Sequence, residues 1–140
     1  MGMNRKFRKL LNEQLQGMTV GDIMETNVIT INEDATLEQL YSLISEYHHP
    51  GYPVVNKENK IAGVISYKDL FRVKREDWNR IRVKERMSTG LVCVSSGDSV
   101  IEAVEKMTEE GIGRLLVMED DKLVGILSRS SIMDGAIKRL

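Results

Sequence analysis

The run Gly63-Val64-Ile65-Ser66-Tyr67-Lys68-Asp69 puts a hydroxyl at the end of an apolar stretch and a carboxylate three residues beyond it. If the stretch is a strand and a helix begins at Tyr67, Ser66 and the first helical amides are placed to donate to a phosphate, because a helix start carries partial positive charge. Asp69, one turn on, shares that face and can accept two hydrogen bonds from a sugar diol. The same residues also make a plain helix start, with Ser66 as N-cap and Asp69 as a favourable first-turn acid. Residue types alone leave both readings open. A second run of the same form, Gly125-Ile126-Leu127-Ser128-Arg129-Ser130-Ser131, carries Ser131 where the first carries Asp69. A serine offers a single uncharged contact, and loss of a charge-assisted hydrogen bond is worth on the order of 1 to 3 kcal/mol.

Other chemistry is sparse. His48 and His49 are adjacent, so no pair has the spacing that puts two imidazoles on one helix face for a metal. The single cysteine, Cys93 in Leu-Val-Cys-Val, reads as a buried strand thiol; it excludes an internal disulfide and fits a reducing compartment. Gly111 and Gly113 end a helix and open a turn, being too few for a dinucleotide fingerprint. With no nucleophile elbow, no phosphate-binding loop and no serine paired to a histidine by motif, the chain is read as non-enzymatic. Twenty basic and 21 acidic side chains leave a formal charge of −1, which gives no global field to gather nucleic acid or anionic membrane. No apolar run approaches the roughly 18 residues of a membrane span. With 41% hydrophobic and 29% charged residues, the expectation is a soluble, cytoplasmic protein.

The elements that must position Ser66 and Ser128 are written twice. Asp22 to Ile31 align with Glu85 to Val94 at an offset of 63, setting Met24 on Met87 and Thr26 on Thr89. The offset continues into a helix whose start is a capping box in both copies, Thr36 with Gln39 and Ser99 with Glu102. Leu37, Leu40, Tyr41 and Ile44, and then Val100, Ala103, Val104 and Met107, follow the helical period. After one extra residue near His48 to Gly51, residues 52–66 match 114–128 without a gap, as strand, polar turn and strand. Closing helices are expected over 67–74 and 129–139. Each copy is therefore strand, helix, strand, strand, helix. The fold class is α/β (α+β): two repeats packed sheet to sheet around one core, since about 55 residues cannot bury a sheet face alone. The divisions are a basic helix over 4–18, a first repeat over 19–74, a connector over 75–82 with Trp78, and a second repeat over 83–139. The basic helix sets Phe7, Leu10, Leu11 and Leu15 against Arg5, Lys6, Arg8 and Lys9, and packing of its apolar side onto the domain or across a dimer is expected.

VGDIMETNVITI, YPVV and GVISYKDL in copy one, with VKERMSTGLVCV and VGILSRSSI in copy two, resemble cystathionine-β-synthase (CBS) repeats over residues 19 to 139. The resemblance implies a tandem pair related by a pseudo-twofold, known as a Bateman module, with two clefts that commonly take AMP, ADP, ATP or S-adenosylmethionine as a regulatory ligand. It implies no cofactor. Carried onto this sequence, it gives Ser66 and Asp69 the phosphate and ribose, and lines the base with Asn27, Val28, Ile29, Tyr52 and Pro53. Arg129 would lean toward the phosphate in that first site. A second, weaker site would be built from Leu91, Val92, Arg114, Leu115, Ser128, Ser131 and Lys68. The resemblance also implies a homodimer and a regulated partner protein or fused domain. The alternative is a structural or dimerisation module with no physiological ligand. The run from LNEQLQGMTVGDIM to HHPGYPVV, with Trp78, further resembles the cytosolic CBS tail of some intramembrane zinc metalloproteases, which would make the chain an excised piece.

Overall fold

The structure, a computed structural model, describes residues 5–139. In chain order its elements are α1 (Arg5–Leu15), α2 (Val20–Ile23), β1 (Ile31–Asn32), α3 (Leu37–Tyr47), β2 (Gly51–Val55), β3 (Ile61–Ser66), α4 (Tyr67–Phe71), β4 (Cys93–Val94), α5 (Val100–Glu110), β5 (Arg114–Glu119), β6 (Lys122–Ser128) and α6 (Arg129–Lys138). Short 3-10 turns cover Arg75–Asp77 and Val83–Glu85. The expected strand, helix, strand, strand, helix order therefore occurs twice, and the class is mixed α and β.

Two compact units result, one of residues 29–91 and the other of residues up to 28 together with those from 92 onward. In the 29–91 unit, β1 runs parallel to β2, and β2 pairs antiparallel with β3 through Gly51 opposite Ser66 and Pro53 opposite Val64. In the other unit β4, β5 and β6 repeat that order, with Arg114 opposite Ser128. The first strands differ from the aligned Val28–Ile31 and Leu91–Val94 runs: the ladder takes Ile31 with Asn32 beyond the first run, and only Cys93 and Val94 of the second.

Each unit has its own buried cluster. Leu37, Leu40, Tyr52, Val54, Ile65, Leu70 and Trp78 form one, and Leu15, Val20, Val100, Ala103, Leu115, Val117 and Leu127 the other. The helical faces read from the sequence supply both, although Tyr41 stays 42% exposed. Thr36 and Gln39 close the full capping box, with the Gln39 amide donating to Thr36 Oγ1 at 3.2 Å and the Thr36 amide to Gln39 Oε1 at 2.8 Å. Ser99 makes only half of its box, accepting from the Glu102 amide at 3.2 Å. The backbone on either side of Ser99 pairs instead with residues 18–20: Val100 donates to the Met18 carbonyl and Val20 to that of Asp98.

That pairing belongs to a pattern extending the repeat upstream of its expected start. Leu37 donates to the Ile81 carbonyl as Val100 does to Met18, Val83 to Ala35 as Val20 to Asp98, and Lys84 to Glu33 as Gly21 to Ser96. All these pairs keep the offset of 63, which also sets Leu15, 1% exposed, on Trp78, 5% exposed. The connector is thus no slack linker. Trp78 donates from Nε1 to the Val73 carbonyl at 3.0 Å, and its carbonyl accepts from Glu38. Because Val73 and Trp78 both turn into the core, α4 stops at Phe71, short of the expected 74. In α1, Leu11 and Leu15 are buried as expected, Leu10 is 53% exposed, and the side chain of Phe7 lies outside the described residues. Arg139 closes that helix by donating to the carbonyls of Gln14 at 3.3 Å and Gln16 at 2.6 Å, satisfying acceptors a helix end leaves open.

Candidate functional site

β3 delivers Ser66 to the start of α4, and the Tyr67 amide donates to the Pro50 carbonyl at 3.0 Å, so the Pro50–Gly51 corner flanks the strand end. Asp69 folds back on the same point. Its Oδ2 accepts the Ser66 amide at 2.9 Å and the Ser66 hydroxyl at 3.2 Å, and its Oδ1 faces Arg72 Nη1 at 3.4 Å. A carboxylate has about four lone-pair sites, so the two bonds on Oδ2 hold the rotamer without exhausting the group. The Asp69 side chain keeps 17% of its exposure.

Capping and ligand binding are therefore compatible at Asp69. The expectation about amides changes, however. The Ser66 and Tyr67 amides are both engaged, and α4 is five residues long and offers little macrodipole. The Ser66 hydroxyl can turn toward an anion here, with Lys68 exposed two residues on.

Ser128 and Ser131 close on themselves. The Ser128 amide donates to Ser131 Oγ at 2.9 Å, the Ser131 amide to Ser128 Oγ at 3.2 Å, and Ser131 Oγ to the Ser128 carbonyl at 2.9 Å. Both are buried, at 8% and 6% exposure. Ser131 here is a structural cap. Beside it, Arg114 sits opposite Ser128 in the ladder, and the exposed Arg129 lays its guanidinium over Gly113, 3.7 Å from where a Cβ would stand.

Three expected lining side chains are core instead. Tyr52 is 0% exposed, its hydroxyl donating to the Leu43 carbonyl at 3.4 Å and accepting from the His49 amide at 3.1 Å. Pro53 is buried in the same strand, and Leu115 is 1% exposed. The resemblance implies these positions at a cleft by their place in the motif, whereas side-chain burial is decided by which face of the strand each residue occupies.

The lead-ins are also exchanged. Ser88 and Val64 donate to each other's carbonyls at 2.9 Å, whereas Glu25 pairs with Ile126 at 2.8 and 2.9 Å. The lead-in of the second repeat thus lies along β3, which carries Ser66, and that of the first lies along β6, which carries Ser128. Ile29, Leu91 and Lys68 share a unit with Ser66 and Asp69, while Asn27, Val28, Val92, Arg114 and Arg129 share one with Ser128 and Ser131. Ser88, not singled out as a site residue in the sequence, pairs with Val64 of the strand that carries Ser66; Arg72 was missed as well. A legible signal did exist. Matching glycines inside two strands, Gly63 and Gly125, demand a close backbone approach, and a Cβ on either would stand 2.7 Å from the sulfur of Met87 or Met24.

Cys93 is half-buried rather than buried, and desolvation raises its thiol pKa, which disfavours the reactive thiolate. Among the described residues, no group of three or more His, Cys, Asp and Glu side chains could hold a metal ion, and no helix is long and apolar enough to cross a membrane.

The two repeats coincide with a known family. The family model of the CBS domain matches residues 20–76 and 83–137, and the chain belongs to this family as a tandem CBS pair. An uncharacterized protein of Methanocaldococcus jannaschii is 32% identical over 122 residues, covering 85% of this chain and 40% of that protein. The inosine-5'-monophosphate dehydrogenase of Bifidobacterium longum is 34% identical over 107 residues, 75% of this chain and 20% of the enzyme. The chain thus spans two fifths or less of these two curated relatives. Among solved structures, CBSX2 in complex with AMP aligns with a TM-score of 0.78 at 25% identity, over 87% of this chain and 98% of that one.

Proposed function

We propose that this chain is a regulatory, non-catalytic module that binds an adenosine-containing ligand, AMP, ADP, ATP or S-adenosylmethionine, through Ser66 and Asp69. The observation that carries the reading is the state of the Asp69 carboxylate: Oδ2 is fixed by Ser66, and among the described residues Oδ1 meets only the exposed Arg72 guanidinium at 3.4 Å. That arrangement suits a ribose diol, which needs a pre-oriented pair of acceptors. The AMP complex of the similar CBSX2 supports this choice of ligand class. In this reading the base lies against Ile29 and the stretch from Thr89 to Leu91, and the Ser66 hydroxyl turns toward the phosphate. The self-satisfied Ser128 and Ser131 leave the other unit without an equivalent sugar acceptor, so one ligand binds per chain.

Calorimetric titration with AMP, ADP, ATP and S-adenosylmethionine tests the proposal. One-site binding to the wild type that disappears in Asp69→Ala supports it; no heat from any of the four removes it. A purely structural, dimerising module is the second reading, favoured by the exposed Phe71 on α4 (65%) and Ile137 on α6 (56%). A sedimentation measurement of a homodimer that binds none of the four ligands would move the weight to that reading. Regulation of a longer protein or partner, including a membrane protease, belongs to the same proposal, because ligand binding needs a listener to have an output.

A further inference from the structure

We infer that Arg72 is an autoinhibitory residue of this site, competing with the ligand's sugar hydroxyls for Asp69 Oδ1; the inference rests on the proposed ligand reading. Asp69 offers two oxygens. Oδ2 keeps the Ser66 amide whether or not the Ser66 hydroxyl turns away, so a diol that makes two contacts needs Oδ1, where Arg72 Nη1 stands at 3.4 Å. The guanidinium gets there from the turn that ends α4, because Arg72 is the C-cap in helical conformation, three residues after Asp69. Its side chain is 73% exposed, so displacement removes little packing and breaks a long, solvent-screened ion pair.

The cation is particular to this unit. At the matching place after Ser131, Asp134 stands on α6, and Ser131 has no carboxylate for a cation to occupy. Arg72 therefore acts where the sugar acceptor exists. A ligand exchanges one charge-assisted contact at Oδ1 for another, and the strength of the Arg72 pair subtracts from its affinity. Salt weakens an exposed pair, so added salt frees Oδ1.

Adenosine is the right probe, because it presents the diol with no phosphate for Arg72 to attract. Wild type, Arg72→Gln and Arg72→Lys are titrated with adenosine and with AMP at low and high salt. The expected result is adenosine affinity about two- to fivefold higher in Arg72→Gln, the span that an exposed ion pair commands. Wild-type affinity for adenosine should rise with salt, the Arg72→Gln value should stay level, and Arg72→Lys should fall between them. Unchanged or weaker adenosine binding by Arg72→Gln, with wild type and variant sharing one salt profile, overturns the inference alone. Failure of the wild type to bind either probe overturns the ligand reading and the inference together.

Discussion

The Ser66 amide and Asp69 Oδ2 lie 2.9 Å apart, and the Ser128 amide and Ser131 Oγ lie 2.9 Å apart at the matching place in the other unit. One cap is built with a charge that still has capacity for a further partner. The other uses a hydroxyl whose donor and acceptor capacity is taken up locally.

That difference separates binding from stability. Ser131→Ala should cost about 1 to 3 kcal/mol in chemical denaturation, because the buried Ser128 amide loses its acceptor, and should leave ligand affinity at Asp69 unchanged. Asp69→Asn keeps an amide oxygen for the cap, so its stability should hold while affinity falls roughly 10- to 100-fold. Equal losses of stability and affinity in both variants would contradict this division.

Gly63 and Gly125 are fixed by what passes over them. A Cβ on Gly63 would stand 2.7 Å from both the Met87 sulfur and the Ser88 carbonyl oxygen; on Gly125 it would meet the Met24 sulfur at 2.7 Å and the Glu25 carbonyl oxygen at 2.9 Å. Either Gly→Ala change should destabilise by about 1 to 3 kcal/mol or more, the usual range for overpacking. Met87→Ala should rescue Gly63→Ala only in part, since the carbonyl belongs to the paired backbone and cannot move aside. Full rescue in a denaturation double-mutant cycle would mean that the lead-in does not pair with β3.

Trp78 anchors the connector, touching the Tyr41 ring at 5.3 Å and the Phe71 ring at 6.1 Å, with the Arg75 guanidinium 4.5 Å from its own ring centroid. Trp78→Ala should cost roughly 3 to 5 kcal/mol. As the sole tryptophan, it should emit at short wavelength and resist quenching by iodide in the folded chain. Ready quenching without denaturant would contradict its burial.

Acid stability follows from three carboxylates held below their ordinary pKa. Glu119 is lowered by the Ser96 hydroxyl and amide, Asp22 by the Thr19 amide and hydroxyl, and Asp34 by Lys84. Such groups add stability that is present above the unfolded pKa and lost as pH falls through the lower folded value. The slope should therefore appear below about pH 4.5, the ordinary value for Glu119, and Glu119→Gln should flatten it. An unaltered acid limb in that variant would show that Ser96 does not hold the carboxylate.

The strand, helix, strand, strand, helix order was legible because apolar periodicity and caps such as Thr36–Gln39 act locally. The place of Trp78 was not, since a tryptophan in a polar run reveals no depth, although its match with Leu15 at the repeat offset was available. The site was legible in its charges and not in its partners: Ser66 and Asp69 are close in sequence, whereas the lead-in lying along their strand comes from the other repeat. The burial of Tyr52 was not legible either, since a resemblance places the Tyr52-Pro53 corner but does not say that the tyrosine side chain turns into the core, where its hydroxyl meets the Leu43 carbonyl and the His49 amide.

The most direct test of the central claim is a titration of isotope-labelled protein with AMP, followed by backbone amide resonances. The account predicts saturating shifts centred on Ser66 to Asp69 and Ser88 to Leu91, abolished in Asp69→Ala. Shifts centred instead on Ser128 to Ser131, or none at saturating AMP, ADP, ATP and S-adenosylmethionine, would contradict it.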